Sequence, residues 1–289
     1  MNSNYYLEDV MRTKGSLRTK KMVGDILTYL GIAVALTFFL FPIVWEVITS
    51  VKSAVEIKNP IPQIMFAPSL ENWKYIVERG FLNNLKNTLI ISLGSSILTL
   101  IIASLAAYAF INAEFKGRRG LALDILTLRM LPPAAIIIPI FLIMKTYGLF
   151  NTYPGMILVY VMYNLPLACW LLIGYFKSMP REVGEAARVD GCSWSGVLWR
   201  IVYPLSTPGL VTTFMFCVLF SWSEYLFALI LTGRDTQTLP IAAASVMTHF
   251  FIDWGGLAST SIFVTVVPII LALIVQKHMV RGLTLGTIK

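Results

Sequence analysis

One arginine lies inside a long apolar stretch of this sequence, just before a pair of prolines. Arg129 is followed by Pro132 and Pro133, and most residues around them are hydrophobic. A charged side chain is costly to bury there unless it meets a partner or water. Adjacent prolines also interrupt the helical hydrogen-bond ladder and free carbonyl groups. Two roles fit these residues: the wall of a cavity, or a structural kink in which Arg129 bonds to those carbonyls or to a neighbouring loop.

Other polar groups in apolar stretches could bind a solute or join helices. Glu224 lies between Trp222 and Tyr225, where it could gate a path, pair with a basic group or hold helices together. Tyr163 and Asn164 are adjacent near the middle of another apolar stretch. Sugars are bound by hydrogen bonds and by stacking on aromatic faces, so both residues are candidates for such contacts. Packing against other helices or lipid is the alternative for these residues.

The sequence contains no pattern typical of a catalytic, metal or nucleotide site. Cys169, Cys192 and Cys217 are far apart without a C-x-x-C pair, and His249 and His278 are isolated, so we predict no metal ligand and no disulfide framework. No G-x-x-x-x-G-K-[ST] phosphate loop occurs, so the chain does not bind ATP through one. We therefore predict that the chain is not an enzyme, and that energy for any transport comes from a partner or an ion gradient.

The composition is that of a membrane protein. Of the 289 residues, 57% are hydrophobic and 13% are charged, and the mean hydropathy is +0.74. Soluble domains have about 25% charged residues and roughly 45–50% apolar ones. Because one soluble core of ordinary size could not bury this much apolar surface, part of the chain must face lipid.

Six segments are long and apolar enough to cross a bilayer as helices, which takes about 20 residues. The first is too long for the apolar core of a signal peptide and lacks a following A-x-A site, so we expect it to remain as an anchor. The predicted fold class is an all-α integral membrane protein with six transmembrane helices: Ile26–Ile48, Thr88–Ile111, Leu121–Met144, Met156–Phe176, Pro208–Leu231 and Ser259–Gln276.

The basic residues lie mainly on one side of these six segments. The net charge of +8 at first suggests a nucleic-acid partner, but the positive-inside rule accounts for it. It predicts that both termini are cytoplasmic and that the loop 51–87 is external. Fifteen of the 23 basic residues fall in the segments predicted to be cytoplasmic: Arg12, Lys14, Arg18, Lys20, Lys21, Lys116, Arg118, Arg119, Lys177, Arg181, Arg188, Arg200, Lys277, Arg281 and Lys289.

A single membrane domain is predicted, with short cytoplasmic ends. It covers residues 26–280, between an N-terminal segment 1–25 and a tail 281–289. Two connections are longer than a turn requires. The external loop 51–87 contains several prolines, which predicts an irregular or partly helical excursion, and a cytoplasmic loop covers about 177–207.

The cytoplasmic loop has the pattern of two short helices. Pro180 is a suitable helix start, and an acidic first turn that includes Glu182 complements the helix dipole. Gly191 should end this helix because glycine tolerates positive φ. A second amphipathic piece, Trp194–Val202, leads into Pro204. Small residues on a short exposed helix permit close docking into a groove of a partner protein.

This loop resembles the EAA loop of ABC importer permeases. That pattern is Glu-Ala-Ala, three residues, Gly, nine residues, Ile and then a proline. Tyr203 precedes the proline where the family usually has leucine, a departure that concerns packing more than docking. The matching residues are Glu185, Ala186, Ala187, Gly191, Ile201 and Pro204.

Three further segments are similar to the carbohydrate branch of this family, in particular to the second permease type of maltose-like importers. The stretch Leu149–Gly155 matches the loop before the fourth span. Residues 221–225, Ser-Trp-Ser-Glu-Tyr, resemble a Trp-Asn-Glu-Phe element, with Ser223 where asparagine is usual. The tail Arg281–Lys289 is similar to the C-terminal signature. The resemblance covers roughly residues 70–289.

The resemblance implies a type I importer fold and a set of partners. These are a second permease, so that the pair is a heterodimer, two ATPase subunits that use ATP and Mg, and an external binding protein for a sugar, oligosaccharide or polyol. The chain itself would bind no cofactor. Residues expected to couple to an ATPase are Glu185, Ala186, Ala187, Asp190 and Gly191. Residues expected near the binding protein, with an aromatic belt as the alternative, are His249, Phe250, Asp253 and Trp254.

Two other classes of function are less well supported by the sequence. An ion-coupled secondary transporter of a small polar solute would have acidic groups or broken helices at matching positions of two repeats. No repeat is visible, and Glu224 has no counterpart. A membrane-embedded enzyme would need a nucleophile–base set or a metal cluster, and a lone glutamate is insufficient.

Overall fold

A computed structural model describes residues 3–61, 65–113, 116–247 and 252–284, and these residues are almost entirely helical. A 3₁₀ turn covers Leu128–Met130, a π turn covers Leu198–Val202, and an isolated bridge joins Met247 to Ile252. The α-helices are α1 (Ser3–Ser50), α2 (Ala54–Lys58), α3 (Glu71–Glu78), α4 (Phe81–Asn112), α5 (Arg118–Thr127), α6 (Pro133–Thr146), α7 (Tyr153–Lys177), α8 (Arg181–Val189), α9 (Trp194–Val197), α10 (Tyr203–Leu205), α11 (Thr207–Trp222), α12 (Leu226–Leu231), α13 (Leu239–Ser245) and α14 (Trp254–Thr284).

The helices provide up to six membrane spans by length and composition, as predicted. Four are continuous: residues 24–50 of α1, all of α4, all of α7, and residues 254–274 of α14. The other two are bent pairs of helices. One pair, Asp124–Met130 with Pro133–Thr146, meets at 94° around Leu131. The other, Trp194–Leu205 with Thr207–Trp222, meets at 82° around Ser206, and its first helix lies in the segment that the sequence predicted to be a cytoplasmic loop.

The break in the third span follows from its two prolines. Leu131 and Pro132 are extended, with ψ of 123° and 128°, and α6 begins at Pro133. A residue that precedes proline is biased away from helical geometry, and proline itself suits the first position of a helix. The predicted kink is therefore present, and it is a sharp corner.

The fifth span differs from the prediction of one helix over Pro208–Leu231. Its helix α11 ends at Trp222, and α12 begins only at Leu226. The carboxylate of Glu224 accepts hydrogen bonds from the backbone N–H groups of Phe227 and Ala228, at 2.9 and 3.1 Å. A side chain that caps a new helix in this way competes with continuation of the old one, which explains the break.

The centre of the bundle is a packing of α4, α7 and α11. A Cβ added at Gly209 of α11 would overlap the ring of Tyr175 on α7, so this ring packs directly on the α11 backbone. Ser95 and Ser221 are hydrogen-bonded at 3.2 Å, and Asn164 Nδ2 donates to the Ser221 hydroxyl at 2.8 Å. Small residues and interhelical hydrogen bonds are the usual means by which membrane helices associate.

Polar side chains cross-link the end of the bundle where α4 begins. Asn87 Nδ2 donates to the carbonyl groups of Asp235 and Gln237, both at 3.0 Å, and its Oδ1 accepts from the Tyr153 hydroxyl. Asn151 Oδ1 accepts from the Gly233 N–H at 2.7 Å and from the Thr236 hydroxyl at 2.8 Å. We call residues 232–238 the clamped segment, because these bonds hold it against α4 and the start of α7.

Candidate functional site

The helix α8 has the boundaries that the sequence predicts. It starts directly after Pro180, and its last residue is Val189. Asp190 is the C-cap residue, and Gly191 follows with φ of +87°. Glycine adopts this left-handed conformation without the steric cost that a Cβ imposes, so Gly191 provides the exit from the helix.

One face of α8 is open and combines small, acidic and apolar groups. Glu185, Ala186, Asp190 and Gly191 are exposed, and Val189 has 88% of its side-chain surface accessible. Val189 therefore places exposed apolar area beside Ala186 on this face of the helix. We call Glu185, Ala186, Val189 and Asp190 the outer face of α8.

Ala187 does not belong to the outer face and points to the core, apart from the other predicted docking residues. It is only 8% exposed and packs in a core cluster with Val197, Leu198 and Val202. Successive helical residues point about 100° apart, so adjacent alanines need not share a face. Gly184, one turn before Ala187, also points inward, toward Val197.

The sequence analysis missed Val189, although its position carries a signal. Glu182, Glu185, Ala186 and Val189 have the i, i+3, i+4, i+7 spacing of a single helix face. A helical wheel groups Val189 with Glu185 and Ala186 and sets Ala187 about 100° from Ala186, but which of these sides is buried follows only from the packing of α8.

The turn after α8 is held firmly. Arg188 Nη1 donates to the Cys192 carbonyl at 2.7 Å, and its guanidinium lies 4.5 Å from the Trp194 ring centroid. The Cys192 N–H donates to the Ala187 carbonyl at 2.9 Å. These contacts hold the turn after α8 in one arrangement.

The second candidate region lies at the corner of the third span. The Arg129 guanidinium lies between two aromatic rings, 4.2 Å from the Phe220 centroid and 5.0 Å from the Tyr163 centroid. Its Nη1 atom is buried, and it has no hydrogen-bond partner among the described residues. Cation–π contacts offset part of the cost of the charge, but one buried donor remains available. Phe220 was missed because no local pattern links it to residue 129.

Glu224 acts within the chain as a cap and a cross-link. Besides the two backbone N–H groups of α12, its carboxylate accepts a hydrogen bond from the Tyr160 hydroxyl at 3.1 Å. Glu224 thereby joins α7 to the start of α12. This geometry matches the bracing role that the sequence left open for Glu224.

Trp222 and Asn164 are buried between helices. Trp222 is 1% exposed, and its Nε1–H donates to the Val264 carbonyl of α14 at 2.9 Å. Asn164 is equally buried and donates to Ser221, while its Oδ1 has no partner within the described part of the chain. In this conformation neither residue lines an open surface.

The other path candidates are more accessible. Pro132 and Tyr225 are exposed, whereas Pro133 and Tyr163 are half-buried. The Tyr163 ring also contacts Phe227 edge-on, with centroids 5.9 Å apart. Tyr163 thus contacts both Phe227 and the Arg129 guanidinium. The two prolines form the corner that positions Arg129.

The candidates near the last span are only partly described. His249 and Phe250 lie outside the described residues. Asp253 accepts a hydrogen bond from the Gly256 N–H at 3.0 Å at the start of α14, and Trp254 is exposed. No group of three His, Cys, Asp or Glu residues that could hold a metal ion occurs in the part of the chain that was described.

Comparison with protein families gives one match over most of the chain. The family described as binding-protein-dependent transport system inner membrane component matches residues 99–285. This region contains α8, Arg129 and Glu224.

Relatives of known name match over nearly their whole length. The trehalose/maltose transport system permease protein MalG of Thermococcus litoralis is 33% identical over 275 residues, which cover 93% of this chain and 99% of that protein. The sulfoquinovosyl glycerol transport system permease protein SmoH of Agrobacterium fabrum is 32% identical, with coverages of 92% and 94%. The trehalose transport system permease protein SugB of Mycobacterium tuberculosis is 33% identical, with coverages of 87% and 93%.

Solved structures share the fold at lower identity. A bacterial ABC transporter involved in the import of the acidic polysaccharide alginate has a chain that superposes with a TM-score of 0.72 at 21% identity, covering 91% of this chain and 98% of that one. The MetNI methionine ABC transporter superposes with a TM-score of 0.57 at 11% identity, covering 73% and 98%. The predicted type I importer fold is therefore confirmed.

Proposed function

Because this chain belongs to the family of inner-membrane components of binding-protein-dependent transport systems, we propose that it is a permease subunit of an ATP-driven importer for a sugar, oligosaccharide or polyol. Membership of this family is the observation on which the transport function rests. The relatives that are named for trehalose, maltose and sulfoquinovosyl glycerol support a carbohydrate substrate.

The outer face of α8 is the proposed contact with an ATPase subunit. Ala186 permits close approach, Val189 provides apolar area, and Glu185 and Asp190 flank them with charge. ATP and Mg would be bound by that subunit. The complete assembly would contain a second, different permease, two ATPase subunits and an external binding protein.

The packing of α8 suggests how movement of the ATPase reaches the spans. The buried face of α8, with Ala187, packs on α9, and the chain continues through α10 into α11. The N-terminal end of α8 follows α7 after a short turn. A displacement of α8 therefore acts on the two spans that surround Arg129, which is how alternating access could be driven.

Arg129, Tyr163 and Tyr225 are the proposed path residues of this subunit, with Pro132 and Pro133 forming the corner. Their exposure or half-exposure and the free donor of Arg129 support this role. Glu224, Trp222 and Asn164 are instead proposed as braces, because the Glu224 carboxylate, the Trp222 indole N–H and the Asn164 amide N–H are engaged between helices.

We propose that both termini and the α8 loop are cytoplasmic in the cell membrane, as the distribution of basic residues indicates. Asp253 and Trp254 would then face outward, together with His249 and Phe250, where a binding protein could contact them. The same orientation places α2 and α3 outside.

Cysteine labelling tests this orientation. In a variant without the three native cysteines, Ser195→Cys should resist a membrane-impermeant maleimide applied to intact cells, and Val55→Cys should react. Both positions are exposed, so accessibility within the chain does not separate them. Lysis should make Ser195→Cys reactive. Labelling of Ser195→Cys in intact cells would contradict the proposed topology.

Uptake into proteoliposomes tests the function. The chain, assembled with its partner permease, ATPase and binding protein, should accumulate a labelled saccharide only when ATP is enclosed with the ATPase. Uptake that needs an ion gradient and no ATPase would favour a secondary transporter and contradict the proposal. A panel of trehalose, maltose and uncharged polyols identifies the substrate class.

A further inference from the structure

A cavity of about 390 Å³ lies between α8, α9 and the C-terminal ends of α4 and α7. Its walls are largely apolar, with Phe176, Val183, Val197 and Ile201 among the lining residues. It lies where these spans end and the loop that carries α8 begins, which is the level of lipid headgroups in a membrane.

The charged residues that line this cavity are Arg118, Arg188 and Glu185, so its lining has a net charge of +1 (two arginines and one glutamate). Among the described residues both arginines bind backbone carbonyls, of Ala113 and Cys192, and form no ion pair. Each guanidinium has five N–H donors, so most of its donors remain available.

A buried hydroxyl without a partner lies beside the cavity. Tyr108 lines the same cavity, and its Oη atom is buried without a hydrogen-bond partner in the described part of the chain. Leaving a buried polar group unpaired is costly, and a ligand that accepts a hydrogen bond there would remove the cost. Trp194 closes this side, with its ring edge-on to Tyr108 at 6.5 Å.

We propose that this cavity binds the phosphodiester headgroup of an anionic membrane phospholipid, with phosphatidylglycerol as its simplest representative. Arg118 and Arg188 would donate to the phosphate oxygens, a geometry for which arginine is well suited. The Tyr108 hydroxyl, which is covered in this conformation, would donate a further hydrogen bond once the headgroup displaces the side chains that cover it. Part of an acyl chain lies on the apolar wall, which a free phosphate ion would leave uncovered. Basic pockets between spans at the cytoplasmic surface are typical sites of such lipids.

Glu185 lies at the rim and on the outer face of α8, so the lipid and the coupling surface share one small helix. The bound headgroup would stabilise the loop in which Arg188 holds Cys192. The site depends on neither the saccharide nor ATPase docking, and its test measures lipid binding only.

Native mass spectrometry of the purified importer, delipidated and then supplied with defined lipid, tests the proposal. The wild-type complex should retain phosphatidylglycerol in preference to phosphatidylcholine of the same chain length. Arg118→Gln and Arg188→Gln should each weaken retention by about tenfold, as expected when a charge-assisted hydrogen bond is lost. Tyr108→Phe should weaken it less, and Arg200→Gln, which removes an exposed charge outside the cavity, should have no effect.

Three results would overturn the site. The first is equal retention of the two lipids, and the second is unchanged binding in Arg118→Gln and Tyr108→Phe, neither of which alters the α8 loop. The third is displacement of the lipid by millimolar inorganic phosphate, which would show a simple anion site instead.

Discussion

Ala186→Trp should prevent the ATPase subunits from copurifying with the permease and should abolish uptake. Ala186 is exposed on the outer face of α8, where an indole would fill the space that a close-fitting groove needs. A hot-spot position of an interface is worth about 2 kcal/mol or more, so ATPase affinity should fall at least about thirtyfold. Membrane insertion should remain normal because the position is outside the spans. Pull-down of the ATPase and uptake measure the two effects.

Ala54→Trp is the matched control. Ala54 is also an exposed alanine on a short helix, but it belongs to α2, which the proposed topology places on the other side of the membrane. It should leave ATPase binding unchanged. Normal ATPase binding by Ala186→Trp would show that no close-fitting groove surrounds the outer face of α8.

The sequence predicted the existence and limits of α8 but not the direction of each side chain. Pro180 and Gly191 determine the ends of the helix through local backbone geometry, which a sequence encodes directly. Whether Ala186 or Ala187 faces a partner depends on how α8 packs on Val197 and its neighbours. That packing is a tertiary property, and the spacing of the motif alone did not predict it.

Arg129→Leu should reduce uptake about tenfold or more while the assembled complex keeps its yield and stability. An arginine in a span costs roughly 2.5–3.5 kcal/mol on insertion scales, so leucine should insert at least as well. A loss of uptake would then come from the missing charge and donor beside Tyr163 and Phe220. Initial rates of uptake and the ATPase rate with binding protein should both be measured, since uncoupled hydrolysis is a second sign of a path role.

Two other variants separate a path residue from a brace. Arg129→Lys keeps the charge near the rings and should restore part of the uptake. Glu224→Ala removes the carboxylate that caps α12 and bonds to Tyr160. It should therefore lower the melting temperature of the complex more than it lowers the rate of uptake. If Arg129→Leu instead loses assembly or stability, Arg129 is a brace. Wild-type uptake and stability together would exclude both roles.

The surroundings of Arg129 and Glu224 were the least predictable part of the site. The proline pair predicted the corner in the third span, because proline acts on its own backbone. The break after Trp222 contains neither glycine nor proline, and it depends on a carboxylate that finds N–H groups three and four residues later. Phe220 meets Arg129 only because α11 packs near the corner.

The clamped segment has a mechanical consequence. Residues 232–238 contain no helix, yet bonds with Asn84, Asn87 and Asn151 fasten them to α4 and to the loop that leads into α7. A force on the clamped segment is passed on to the helices that it is bonded to, whereas a loop without these bonds would bend instead. A protein that pressed on this end of the bundle would thus displace the starts of α4 and α7 together.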